Sequence, residues 1–175
     1  MGRNTTAFDD ARARLVSGIV AGMVGGLVGS WTMSQFQALV SRATARSDQP
    51  SPDADADATE KLAQKIAGYT IDRRLTPDEA RVAAPVVHYV YGTFAGAVYG
   101  AMAERSTAIR SLAGAAYGTL LWAAGDEIAV PLFGLSQPST EFPASVHAQA
   151  LAAHIVYGLT TELVRRGVVT LMQAA

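Results

Sequence analysis

Residues 15–41 read LVSGIVAGMVGGLVGSWTMSQFQALVS, with no charged side chain among them. About 20 mainly apolar residues are enough for a helix to cross a bilayer core of about 30 Å, so this run predicts a first transmembrane span. Residues 82–103 and 142–161 are nearly as clean, and residues 111–135 carry only Asp126 and Glu127. The expected fold is all-α, a four-transmembrane-helix bundle with spans at about 15–41, 84–104, 108–133 and 144–166. A polar N-terminal tail, 1–14, precedes a single membrane domain, 15–175, whose first two spans are joined by a polar loop at about 42–83.

Composition points the same way: half of the 175 residues are hydrophobic and only 17% are charged, against roughly 25% in soluble domains. An Ala-rich soluble bundle is the competing reading, and a mean hydropathy of only +0.19 keeps it in play. The polar loop accounts for most of that dilution. A net charge of -1 and a pI near 6.3 leave no basic footprint, so nucleic acid is not an expected partner. The absence of cysteine excludes disulfides, iron-sulfur clusters and thiolate zinc sites. Arg12 and Arg14 ahead of an apolar run, with Ala43-Thr44-Ala45 behind it, also suit a signal peptide. The run outlasts a typical signal core and its glycines recur at helix-packing spacing, so it is read as retained.

In the loop, SDQPSPDADADATE (47–60) crowds Pro, Ser and Asp without apolar period and reads as a loosely held linker. Residues 59–69 regain a helical stripe of Leu62, Ile66 and Tyr69 beside Lys61 and Lys65, the pattern of a short interfacial helix. Thr76-Pro77-Asp78-Glu79 is a helix start, with Thr76 as N-cap and Glu79 completing a capping box. Pro85 is expected to bend or restart the second span, because an interior proline removes a backbone hydrogen bond. Glu104-Arg105-Ser106-Thr107 is short enough to force an antiparallel hairpin.

Gly18, Gly22 and Gly26 recur every fourth residue, as do Gly92, Gly96 and Gly100. Close backbone approach over small residues supplies much of the packing energy between helices in lipid, so these are read as helix-packing positions. Such seams are expected to leave little internal volume, which argues against a substrate path. A seam facing a second copy of the chain would make a homo-oligomer, so the expected partners are the lipid bilayer and another copy.

Ionisable groups inside a bilayer cost a few kcal/mol or more each and by default mark function. His88, His147, His154, Asp126, Glu127 and Glu162 are the candidates. His88 lies three residues past Pro85 and His147 four past Pro143, which predicts one level near one membrane face, beside Asp126 and Glu127. His154 is expected deeper, although HIVYG at 154–158 repeats HYVYG at 88–92. Several chemistries fit these residues. A histidine-carboxylate cluster is proton-responsive, since imidazole titrates near neutral pH. His88 and His154 could hold a haem, and His88, His147 and Asp126 or Glu127 could hold a divalent metal. In the plainest alternative the histidines only pin helices together in a structural scaffold. Cofactor and metal are left unknown. No phosphate loop, nucleophile elbow or metalloprotease helix is present, so the chain is expected not to be an enzyme.

Termini in the cytoplasm put Arg3, Arg12, Arg14, Arg105, Arg110, Arg165 and Arg166 inside and leave the loop between the last two spans, free of Lys and Arg, outside. The block PLFGLSQPSTEFP at 131–143, with Pro131, Gly134, Pro138 and Pro143, is followed by His154 and then by Glu162, Arg165 and Arg166. Together with His88, Ala103-Glu104 and the Gly-rich third span, it resembles the YagU-like family of bacterial inner-membrane proteins over roughly residues 84–167. The resemblance implies a multi-pass protein of the bacterial inner (cytoplasmic) membrane, of unknown molecular function, whose type member is linked to acid resistance. Asp126, Glu127 and His147 lie outside that pattern, which weighs against the metal reading.

Overall fold

The structure, a computed structural model, describes residues 3–44 and 54–174. Helices are α1 (Arg3–Thr44), α2 (Ala54–Thr70), α3 (Pro77–Arg105), α4 (Thr107–Ser111), α5 (Ala115–Ala124), α6 (Val130–Leu132) and α7 (Ala144–Ala174). A π-helical turn, Gly125–Ala129, joins α5 to α6, and a 3-10 turn, Ser139–Glu141, precedes α7. No strand occurs among the described residues. Among the described residues one helix, over Asp9–Thr44, is long and apolar enough to cross a membrane by itself. The others fall short for visible reasons: α3 mixes His88 and three tyrosines with its glycines, α7 carries His154, Glu162 and Arg165, and the third stretch is cut into pieces.

Helix α1 runs through the middle of the bundle, packed against α3 on one side and α7 on the other. Both contacts are glycine-lined. A Cβ at Gly22 would strike the carbonyl of Gly96, and one at Gly26 the carbonyl of Gly92, so α1 and α3 touch backbone to backbone in antiparallel sense. The two predicted glycine rows therefore face each other within one chain. Gly25 and Gly29 meet Thr161 and Tyr157 of α7 in the same way, and Gly118 of α5 meets the His154 carbonyl. Hydrogen bonds close the ring: the Tyr157 hydroxyl donates to the Gly92 carbonyl at 2.6 Å, and the Tyr117 hydroxyl to the Ala95 carbonyl at 2.7 Å.

The expected capping box is present, with the Thr76 side chain accepting from the Glu79 amide and Glu79 from the Thr76 amide. Pro85 neither breaks nor restarts α3, which continues through it. The third span, read as one helix over 108–133, is corrected more deeply. After α4 the chain turns through Ala113 and Gly114 at φ 48° and 85° before α5 begins. A side chain at Gly114 would strike the Gly158 carbonyl, so the break lets two backbones meet. Part of the predicted linker, 45–53, lies outside the described residues; from Ala54 onward the chain is helix. The N-terminal tail is helical too from Arg3, a continuation of α1.

Candidate functional site

The π turn decides the site. A π turn carries one extra residue, and each extra residue swings the downstream chain by about 100°. Here it brings Asp126 and Glu127, neighbours in sequence, both against α7. Glu127 Oε1 lies 2.6 Å from Nδ1 of His147, and Asp126 Oδ2 lies 3.5 Å from Nδ1 of His154. Two histidine-carboxylate pairs thus stand side by side, set by two turns of α7 on one helix and by adjacent residues on the other.

The other nitrogen of His147, Nε2, lies 3.0 Å from the Ser139 carbonyl, and the Ser139 hydroxyl donates to the Glu127 carbonyl at 2.9 Å. A carbonyl can only accept, so Nε2 must carry a hydrogen. The contact to Glu127 then needs a second proton, either on Nδ1 or on the carboxyl group. An imidazole held between two acceptors is a bound proton site by hydrogen-bond arithmetic alone. His154 is held differently: its Nδ1 also faces the Ala150 carbonyl, one turn back, at 2.9 Å.

Above this end lies a cavity of about 540 Å³, lined by Ser30, His88, Tyr91, Asp126, His154 and Tyr157. Helix α2 forms its roof with Leu62, Ile66 and Tyr69, the three residues of the predicted stripe. The roof is pinned on two sides. Gln64 exchanges a pair of hydrogen bonds with the Leu75 backbone at 2.8 and 2.9 Å, and Lys65 Nζ donates to the Phe133 carbonyl at 2.6 Å. A second pocket, about 50 Å³, is shared by Asp126, Glu127, Ser139 and His147.

His88 and His154 both line one cavity, while His147 lines the smaller pocket; His88 Nε2 approaches the Ser30 carbonyl at 3.5 Å. Two sequence expectations change. A substrate-sized volume exists after all, because the glycine seams close only the stretch where they run and α2 spans the gap beyond. The other change concerns metal: among the described residues no three His, Asp or Glu side chains converge as an ion needs, so His88, His147 and the two acids do not form one ligand set.

Glu162 also leaves the cluster. It sits at the opposite end of the bundle, 1% exposed, between Arg165 and Arg166 at 2.6 Å each. Arg165, 3% exposed, reaches Glu104 of α3 at 3.0 Å, and the Tyr99 hydroxyl lies near Glu162. Spacing could have revealed this: Arg165 and Arg166 follow Glu162 by three and four residues, which puts all three on one helix face. Glu104 could not be assigned from sequence, since it arrives from another helix.

A family described as a protein of unknown function, DUF1440, matches residues 48–163. The chain belongs to that family. No curated protein and no solved structure matches it. The matched DUF1440 region contains α2, the π turn and all three histidines, together with Glu104 and Glu162. The Ser30 wall of the cavity and the Arg165-Arg166 half of the buried charge cluster fall outside it.

Proposed function

We propose that this DUF1440 protein is a four-span protein of the bacterial inner membrane whose histidine-carboxylate pairs respond to protons near the outer face. Its spans are about 15–41 in α1, 84–104 in α3, 108–133 across the α4–α6 stretch and 144–166 in α7, with cytoplasmic termini and with α2 and the first turns of α3 lying at the outer interface. What supports the membrane reading is an inverted distribution of residue types. Soluble proteins bury Val, Leu and Phe; here Val82, Val86, Val90, Phe94 and Val98 form an exposed ridge along α3, with Val16, Val20, Leu27 and Trp31 exposed on α1. The interior instead holds alanine, glycine, Ser30, Thr161, His154, Glu162 and Arg165. Apolar outside and small or polar inside is the arrangement that lipid as solvent favours.

The proton reading rests on His147, with an acceptor at each ring nitrogen. The role proposed is non-enzymatic, since the sequence carries no phosphate loop, nucleophile elbow or metalloprotease helix. The resemblance to the acid-resistance-linked YagU-like family fits the same chemistry. Imidazole ¹⁵N spectra of the full chain in lipid nanodiscs test it. At pH 7.5, His147 should show Nε2–H with a proton shared at Nδ1, and Glu127→Gln should return it to a neutral Nε2–H ring. Histidine resonances that stay fixed between pH 7.5 and 4.5, in wild type and variant alike, would end the reading.

A further inference from the structure

The large cavity carries a binding site that proton response does not explain. Its size falls in the range of small-molecule sites, roughly 300–1,000 Å³, and most of its wall is apolar, with Met33, Leu62, Leu121, Val130 and Leu135 among the lining residues. The polar groups in its depth are already committed to the protein. Asp126 and His154 face each other at 3.5 Å, and each has a further partner within the chain. The Tyr157 hydroxyl donates to the Gly92 carbonyl, and His88 Nε2 approaches the Ser30 carbonyl. The Ser30 hydroxyl is packed against Gly92, fully enclosed. An occupant that placed a polar group here would lose its hydration without gaining a hydrogen bond, so the part that fills the depth must be apolar.

The rim is different. A lining residue that is also exposed marks a mouth, and Ile66 and Tyr69 of α2, Tyr91 of α3 and Phe133 are 45%, 91%, 47% and 64% exposed. Lys65 joins them there, itself exposed and the one permanent cation among the described lining residues. Its ammonium group donates to the Phe133 carbonyl at 2.6 Å, which ties it from the roof across to the far wall. That bond uses one of three donors, and no carboxylate pairs with Lys65 among the described residues. A positive charge is thus held where the apolar depth meets the surface. An acid head at that point gains a charge-assisted hydrogen bond, a neutral head gains less, and a cationic head meets a like charge.

We propose that this cavity takes up a single-chain acidic amphiphile, its alkyl chain beneath α2 and its carboxylate or phosphate head on Lys65 at the mouth. The site rests on the membrane placement proposed above, which brings such molecules to the mouth from the side, and not on the histidine pairs. A matched series on one decyl chain isolates the head group: decyl phosphate as anion, decanol as neutral, and decyltrimethylammonium as cation. Each is titrated at pH 7.5, where a phosphate head is ionised, into the full chain in phosphatidylcholine nanodiscs. The amides of Gly92 and Gly125 report on the cavity wall, and those of Val16 and Val20, exposed on α1, on partition into the bilayer. Gly92 and Gly125 should shift saturably with decyl phosphate, at least tenfold more weakly with decanol, and not with the cation, while Val16 and Val20 do not saturate. Lys65→Gln should weaken the phosphate at least tenfold and leave decanol as it was, a selective loss that a loosened roof would not produce. Leu62→Trp, which fills the cavity from its roof, should abolish the shifts. Equal affinity for the three heads, a Lys65→Gln variant that weakens both ligands alike or neither, saturable shifts that survive Leu62→Trp, or no saturable shift at all would overturn the assignment. A chain that stays out of nanodiscs ends the membrane placement instead, and the same titration in buffer then judges the cavity by the same outcomes.

Discussion

The two ends of the bundle hold similar numbers of carboxylates and treat them differently. At one end Glu104 and Glu162 are matched by Arg165 and Arg166, permanent cations, in a setting where Glu162 and Arg165 are almost wholly enclosed. At the other, Asp126 and Glu127 are matched by histidines, whose charge is conditional, beside open volume. The first end is a clamp: each carboxylate there has an opposite charge that pH does not remove. The second is the end proposed to change state. Glycine follows the same division, since Gly18 packs on the Glu104 side chain at the clamp end while the cavity begins beyond Gly92.

The sharpest way to break this contrast is to delete one partner at each end. Arg165→Met leaves Glu104 and Glu162 enclosed without their guanidinium, and removing one member of a buried pair costs about 3–5 kcal/mol. His147→Gln removes a pair whose members are about a quarter exposed, and the loss of such a hydrogen bond costs about 1 kcal/mol. Equilibrium unfolding in mixed detergent micelles at pH 7.5 gives both numbers. Equal costs would mean that the two ends are energetically alike, and the clamp would lose its meaning.

A smaller effect is expected from the seam that joins the ends. Gly96→Val sends a side chain into the Gly22 carbonyl and the Gly26 backbone, and overpacking of this kind costs about 1–3 kcal/mol. Gly68 on α2 has nothing near its absent Cβ, so Gly68→Ala should stabilise α2 by up to about 1 kcal/mol through helix propensity alone. A neutral Gly96→Val would show that the α1–α3 contact is looser than its geometry indicates.

The seam was legible in the sequence because it depends on regular helical spacing, glycine every fourth residue; in the clamp the same spacing sets Glu162 beside Arg165 and Arg166, but Glu104 joins from another helix. Thr76 and Glu79 were legible for a related reason, since a capping box is local chemistry. The histidine end was not, because it depends on an irregularity. Counting along an unbroken third helix places Asp126 and Glu127 on successive faces, and nothing in GDEIA announces the π turn that brings both to α7. The cavity was hidden for a different reason. The glycine rows report on the helices that carry them, whereas the roof comes from α2, whose apolar stripe shows that it covers something without showing what.

The smallest expected effect separates protonation at the histidine end from acid effects elsewhere. Glu79, outside the proposed spans, accepts two 2.8 Å bonds from the Arg73 guanidinium and one from the Thr76 amide. These hold its carboxyl down to about 2 from an ordinary 4.5. A carboxyl depressed in this way contributes its stability above the unfolded value and loses it as pH falls through the folded one. The α3 cap should therefore be intact from pH 7.5 to 4.5 and weaken progressively below that, toward pH 2. Amide shifts of Thr76 and Glu79 followed in the same titration as the histidines give the check. If these amides move between pH 7.5 and 4.5 together with His147, the change is a general loosening of the α3 start, and the histidine end is not the part that responds first.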